Sequence, residues 1–95
     1  MDENGELVGP GDPQAQAERV FANLALALGA GGATFGDVIK FGVFVTDIAI
    51  LPVVREVRNR YVDTAHPPAS TAVQVGALFR SGYMLEVEAL AVVSG

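Results

Sequence analysis

Two carboxylates, Glu86 and Glu88, stand two residues apart in an alternating run, Leu85-Glu86-Val87-Glu88-Ala89-Leu90-Ala91-Val92. Residues i and i+2 of a strand share a face, so both acids leave the same side of a sheet. A carboxylate held there can take a proton from a bound water, general acid–base work worth about 10²–10⁴-fold. Glu86 is the candidate for that role; the plainer reading is two solvated acids on an open sheet face. Ser70 and Thr71, in Pro68-Ala69-Ser70-Thr71, carry hydroxyls. No His or Lys adjoins them in sequence to activate a nucleophile, so they read as pocket-lining or strand-start residues rather than covalent catalysts. Arg55 and Arg58 lie three apart, with Arg60 nearby. Arg55 is a candidate anion holder, set against an exposed basic helix face that balances an acidic protein. His66 is the single histidine, and one His builds no metal site. Gly29, Gly31 and Gly32 close a helix rather than open one, so they form no phosphate cradle.

Composition narrows the classes. The 95 residues make one domain, with 1–12 an irregular lead-in that has at most a short strand at Glu6 to Val8. At 51% hydrophobic and 18% charged residues, a packed core is expected rather than disorder. The formal charge of -5 argues against nucleic acid and against an anionic membrane surface. With no cysteine there is no disulfide, zinc-thiolate site or thiol nucleophile. Met1-Asp2-Glu3-Asn4 is unlike the basic start of a secretory signal, and no apolar run of about 18 residues is present to span a bilayer. A cytoplasmic protein with no metal and no cofactor is the expectation.

The elements that must position these residues follow from periodicity. Asp12-Pro13 reads as an N-cap and first helical position. Ala17, Val20, Phe21, Leu24, Ala27 and Leu28 then repeat at helical spacing. The apolar span 24–33 predicts a helix end buried on more than one side. Asp37 to Thr46 reads as a strand, with Ile39, Phe41, Val43 and Val45 on one face and Val38, Lys40, Gly42, Phe44 and Thr46 on the other. Apolar groups on both faces place it inside the sheet or under a second cover. Gly42 suggests a bulge or a close backbone approach. Asp47 can cap a second helix with Pro52 in its first turn, and Leu51, Val54, Val57, Arg58 and Tyr61 form its stripe. Two further alternating stretches, Pro67 to Val75 and Met84 to Val92, are separated by Arg80-Ser81-Gly82 and read as a hairpin that pairs Phe79 with Tyr83, Gly76 with Glu86 and Gln74 with Glu88. That pairing would put Ser70, Gln74, Gly76, Glu86 and Glu88 on one polar face and Thr71, Val73, Leu85 and Val87 on the apolar one. The order α-β-α-β-β predicts an α+β two-layer sandwich, with two helices on one face of a mixed β-sheet.

The chain also resembles the Rid/YjgF family, the L-PSP family of reactive-intermediate deaminases. The resemblance rests on Gly11-Asp12, Gln16, Val20 and Asn23, on Gly32-Ala33, and on Asp37-Val38-Ile39-Lys40. It continues in Val43-Phe44-Val45-Thr46-Asp47, Pro68-Ala69-Ser70-Thr71 and Glu86-Val87-Glu88-Ala89-Leu90-Ala91-Val92. It implies a chorismate-mutase-like fold and a homotrimer with ligand pockets between subunits. It also implies hydrolysis of amino-acid-derived 2-enamines and 2-imines with release of ammonia. The family deaminases hold the substrate carboxylate with an arginine, which aligns with Ser70, and position water with a glutamate, which aligns with Glu86. Arg55 aligns with a pocket asparagine and Arg58 with a tyrosine.

Two departures follow. Serine lacks the fixed charge and bidentate geometry of arginine. The family's strand pair before the first helix has no counterpart here, which reads as a natural short form, a mis-assigned start or a shortened chain. A non-catalytic trimer that binds a small carboxylate-containing metabolite is therefore the alternative function. The family's older name adds endoribonuclease, which the acidity, the lack of a His pair and the scarcity of Lys oppose.

Overall fold

The computed structural model describes residues 11–78 and 82–93. The short strand expected at 6–8 and most of the expected turn at 80–82 lie outside them. Helices α1 (Pro13–Ala30) and α2 (Leu51–Arg58) pack against strands β1 (Val38–Val45), β2 (Ala69–Gln74) and β3 (Leu85–Ala91). Short 3₁₀ turns at Phe35–Asp37 and Ile48–Ile50 lead into β1 and α2. The predicted order, and with it the α+β chorismate-mutase-like sandwich, is what the chain adopts.

Local signals act as expected at both ends of α1. The Asp12 carboxylate accepts from Ala15 N–H at 3.1 Å, and Pro13 occupies the first turn, where no backbone donor is needed. At the other end Gly32 takes φ +80°, and Ala33 N–H reaches back to the Leu28 carbonyl at 2.8 Å. The expectation that this end is buried on more than one side is not met: Leu26 is 73% exposed. It stands about 200° around the helix from Leu24, whose face packs on the core.

The sheet corrects the expected hairpin. Among the described residues its order is β2-β1-β3, with β1 parallel to β2 and antiparallel to β3. Of the two places that the apolar residues on both faces of β1 allowed, inside the sheet or under a second cover, the strand takes the first. Helix α2 carries the chain back so that β2 runs alongside β1 in the same direction. The ten-residue connection from β2 to β3 then links the two edges. Its ends grip the end of β1 from both sides: Val75 N–H donates to the Val45 carbonyl at 2.8 Å, and Thr46 N–H to the Met84 carbonyl at 3.0 Å. Gln16, buried on α1, clamps the same connection. Its amide donates to the Gly82 carbonyl at 3.2 Å, and its oxygen accepts Met84 N–H at 2.8 Å.

Register decides the faces. Ser70, Ala72 and Gln74 lie opposite Phe41, Val43 and Val45, on the helix side, while Thr71 and Val73 lie opposite Gly42 and Phe44 on the far side. This inverts the expected faces of β2, because the neighbour that sets its parity is β1 and not β3. Gln74 therefore lines no polar face with the glutamates. Its side-chain oxygen accepts Ile48 N–H at 2.7 Å, while Asp47 accepts Ala49 N–H at 2.9 Å, so the two cap the turn that starts α2. On β3 the expected faces hold, with Leu85 and Val87 opposite Val45 and Val43, and Glu86 and Glu88 opposite Phe44 and Gly42. A register shift between Val38 and Lys40 leaves Ile39 unpaired and 51% exposed, while Val38 takes the buried place. The bulge is thus at Ile39 rather than at Gly42.

The core centres on Phe21, Phe41, Val45, Val54, Val57 and Leu85, all fully buried. Phe21 meets Phe41 edge-on at 6.0 Å and stacks on Tyr61 at 5.7 Å, and Phe35 lies 5.1 Å from Tyr61. Among the described residues, no helix is long and apolar enough to cross a membrane.

Candidate functional site

Arg55 and Arg58 belong to the same short helix, one turn apart, and its buried Val54 and Val57 fix which way that turn faces. Both arginines line a cleft of about 270 Å³ between α2 and the edge strand β2. Ser70 and Ala72 form its strand wall, over a floor that includes Phe21, Val43 and Val54. Arg58 donates from Nε and Nη2 to the neutral Asn59 Oδ1 at 3.3 and 3.0 Å. The Arg55 side chain makes no hydrogen bond or ion pair with any described residue. Arg60 behaves differently. It turns to α1, pairing with Glu18 at 2.9 Å and Glu56 at 3.4 Å, and the Glu18 hydrogen bond raises its pKa further.

The far side of the sheet carries the acids. Thr71, Gly42 and Glu88 share one cross-strand row, and Val73, Phe44 and Glu86 share the next. With no side chain at Gly42, Glu88 leans over that position: a Cβ there would lie 3.6 Å from Glu88 Oε2 and 3.5 Å from the Phe44 ring. An open concavity of about 690 Å³ borders Lys40, Gly42, Phe44, Thr71, Val73 and Glu88. Val73 and Leu90 expose 40% and 57% of their surface beside it.

The structure therefore groups the sequence candidates in two. Ser70 and Arg55 share the helix-side cleft, joined by Arg58. Thr71 and Glu86 stand on the opposite face, and Thr71 neighbours Glu88 more directly than Glu86. Lys40 is the residue that spacing does not reveal: it joins Glu88 on this face only because β1 pairs with β3, with Gly42 opposite Glu88. His66 sits on an exposed turn with Asp63 3.5 Å away, away from both groups. Among the described residues, no three His, Cys, Asp or Glu come close enough to hold a metal ion.

Comparison with known proteins adds an independent line. The family model described as endoribonuclease L-PSP matches residues 1–93. Protein DfrA of Myxococcus xanthus is 46% identical over 82 residues, 86% of this chain, and the chain spans only 61% of that relative's length. TdcF of Escherichia coli K12, which bears the name of a reactive intermediate deaminase, is 36% identical over 92 residues, covering 95% of this chain and 69% of TdcF. The crystal structure of a Thermotoga maritima protein superimposes with a TM-score of 0.88 at 42% identity, covering 98% of this chain and 71% of that one. RidA from an Antarctic Psychrobacter gives a TM-score of 0.78 at 38% identity over 84% of this chain and 63% of its own.

Proposed function

Because the chain belongs to the endoribonuclease L-PSP family, the Rid/YjgF family, we propose that it hydrolyses reactive 2-imino and 2-enamino acids to 2-oxo acids and ammonia. An enamine first takes a proton at C3 and becomes the imine. Water oxygen then bonds C2 as the C=N π pair moves to nitrogen, and Glu86 takes a proton from the water and passes it to that nitrogen, giving the carbinolamine. Glu86 next takes the carbinol O–H proton as C=O forms and the C–N bond breaks with its electron pair on nitrogen; that proton goes to nitrogen, which leaves as ammonia. Arg55 holds the substrate carboxylate in place of the arginine that Ser70 replaces, with Ser70 and Thr71 lining the pocket.

In one chain Glu86 and Arg55 stand on opposite faces of the same sheet. The two halves meet only when the glutamate-bearing face of one copy closes against the cleft edge of another, which is why a homotrimer is the expected assembly. The observation that carries the reading is the match over 95% of this chain to a relative named as a reactive intermediate deaminase. Ammonia release from a 2-imino acid generated in situ tests it. The parent should exceed the uncatalysed rate, and Glu86→Gln should lose about 10²-fold. Parent and variant both at the uncatalysed rate would overturn it. Ser70 favours the second reading, a non-catalytic trimer that binds a small carboxylate metabolite, and that outcome would leave binding alone.

A further inference from the structure

The protein has 11 acidic side chains against 6 Lys and Arg, so an arginine has acids to spare as partners. Arg60 uses two of them. Arg55 and Arg58 use none: among the described residues neither approaches a carboxylate within ion-pair distance. Both line one small cleft, one helical turn apart, with the Ser70 hydroxyl on the opposite wall. One carboxylate would neutralise one guanidinium and leave the other facing the same cleft with solvent as its only counter-charge, since Arg55 is exposed and Arg58 half-buried. A ligand with two carboxylates satisfies both, and each can be gripped by a planar fork. A cleft of about 270 Å³ is near the lower limit of small-molecule sites, which suits a compact metabolite rather than a nucleotide.

We propose that the Arg55–Arg58–Ser70 cleft selects dicarboxylates, so that the substrate is a 2-imino dicarboxylic acid rather than a monocarboxylic one. This deepens the deaminase reading and rests on it for the reaction, while the binding preference stands on the cleft alone. Arg58 or Arg55 forks onto one carboxylate, the other arginine takes the second, and Ser70 donates to one of the oxygens. The competing account is that the two arginines only offset the negative end of α2. That account lowers stability in the variants but gives no ligand preference.

The test is calorimetric titration of the whole chain with succinate, propionate and inorganic phosphate, at low and at 0.5 M salt. Succinate should bind about tenfold or more tighter than propionate and weaken at high salt. Arg55→Gln and Arg58→Gln should each reduce succinate affinity about tenfold or more, while Arg60→Gln, whose guanidinium is turned to Glu18 and Glu56, leaves it unchanged. Equal binding of succinate and propionate overturns the proposal. So does tighter binding of phosphate than of succinate, or succinate binding indifferent to Arg58→Gln. Should a variant fail to fold, the parent's own preference between the two acids decides. Ammonia release is scored separately. Succinate selectivity without ammonia release overturns the deaminase reading and keeps this one; ammonia release without selectivity does the reverse.

Discussion

Glu86 and Glu88 leave the same side of β3 but meet different neighbours. Glu86 faces Phe44 and, beyond it, Val73, an apolar row; Glu88 faces the gap at Gly42 and then Thr71. Acid–base work depends on which carboxylate a bound imine can reach, so the two are separable by substitution. Glu86→Gln should lower ammonia release about 10²-fold and Glu88→Gln less than tenfold; initial rates in the reverse order would move the role to the Gly42 row. Gly42 itself is not held by steric need. An added methyl would make ordinary contacts at 3.5 and 3.6 Å, and replacing glycine restricts the unfolded chain by about 0.4–1 kcal/mol. Gly42→Ala should therefore keep or raise the urea midpoint. A midpoint that falls would show that the Glu88 side chain cannot yield the space. From the sequence, the shared face of the two glutamates was legible because strand alternation is a property of a single strand. Their separate surroundings were not, since those belong to β1 and β2.

Among the elements, the described ends of the connection between β2 and β3 make the most consequential contacts. Gln16 holds it through two hydrogen bonds from a side chain that is 3% exposed. Gln16→Leu would leave the Gly82 carbonyl and Met84 N–H to find other partners, at roughly 1–3 kcal/mol per unsatisfied group. Urea unfolding should show a loss of about 2 kcal/mol or more, against about 1 kcal/mol for removing the Asp12 cap in Asp12→Ala. A Gln16→Leu loss below that of Asp12→Ala would mean that the connection is held elsewhere. The caps at Asp12 and Asp47 and the glycine stop after α1 were legible because they act within three or four residues. Gln16 stood out only through its place in the family pattern, because its partners lie 66 and 68 residues away along the chain.

At the scale of the molecule, β2 is exposed along its whole length and the far face bears Val73 and Leu90 in the open. That face also bears Lys40, Thr71, Glu86 and Glu88, and on the proposed function a second copy closing over it would bring Glu86 to the Arg55 cleft. Light scattering at micromolar concentration should report a homotrimer. Val73→Lys, a charge placed in that face, should shift the protein to smaller species while circular dichroism keeps the α+β signature. A trimer that persists would place the interface on another surface.

The sequence by itself determined the order of elements, the capping of α1, the apolar character of both faces of β1 and the common face of Glu86 and Glu88. Each of these follows from neighbours within a turn or a strand, where spacing alone sets geometry. Tertiary structure decided that β2 and β3 lie on opposite sides of β1 and that Ser70 and Gln74 face the helices. It also decided that Arg55 and Arg58 meet Ser70 while Glu86 stands away from them. Those facts depend on which edges pair, and a strand pattern of period two is the same whichever neighbour it hydrogen-bonds. Only the competition among whole sheets for the buried face of β1 selects one answer.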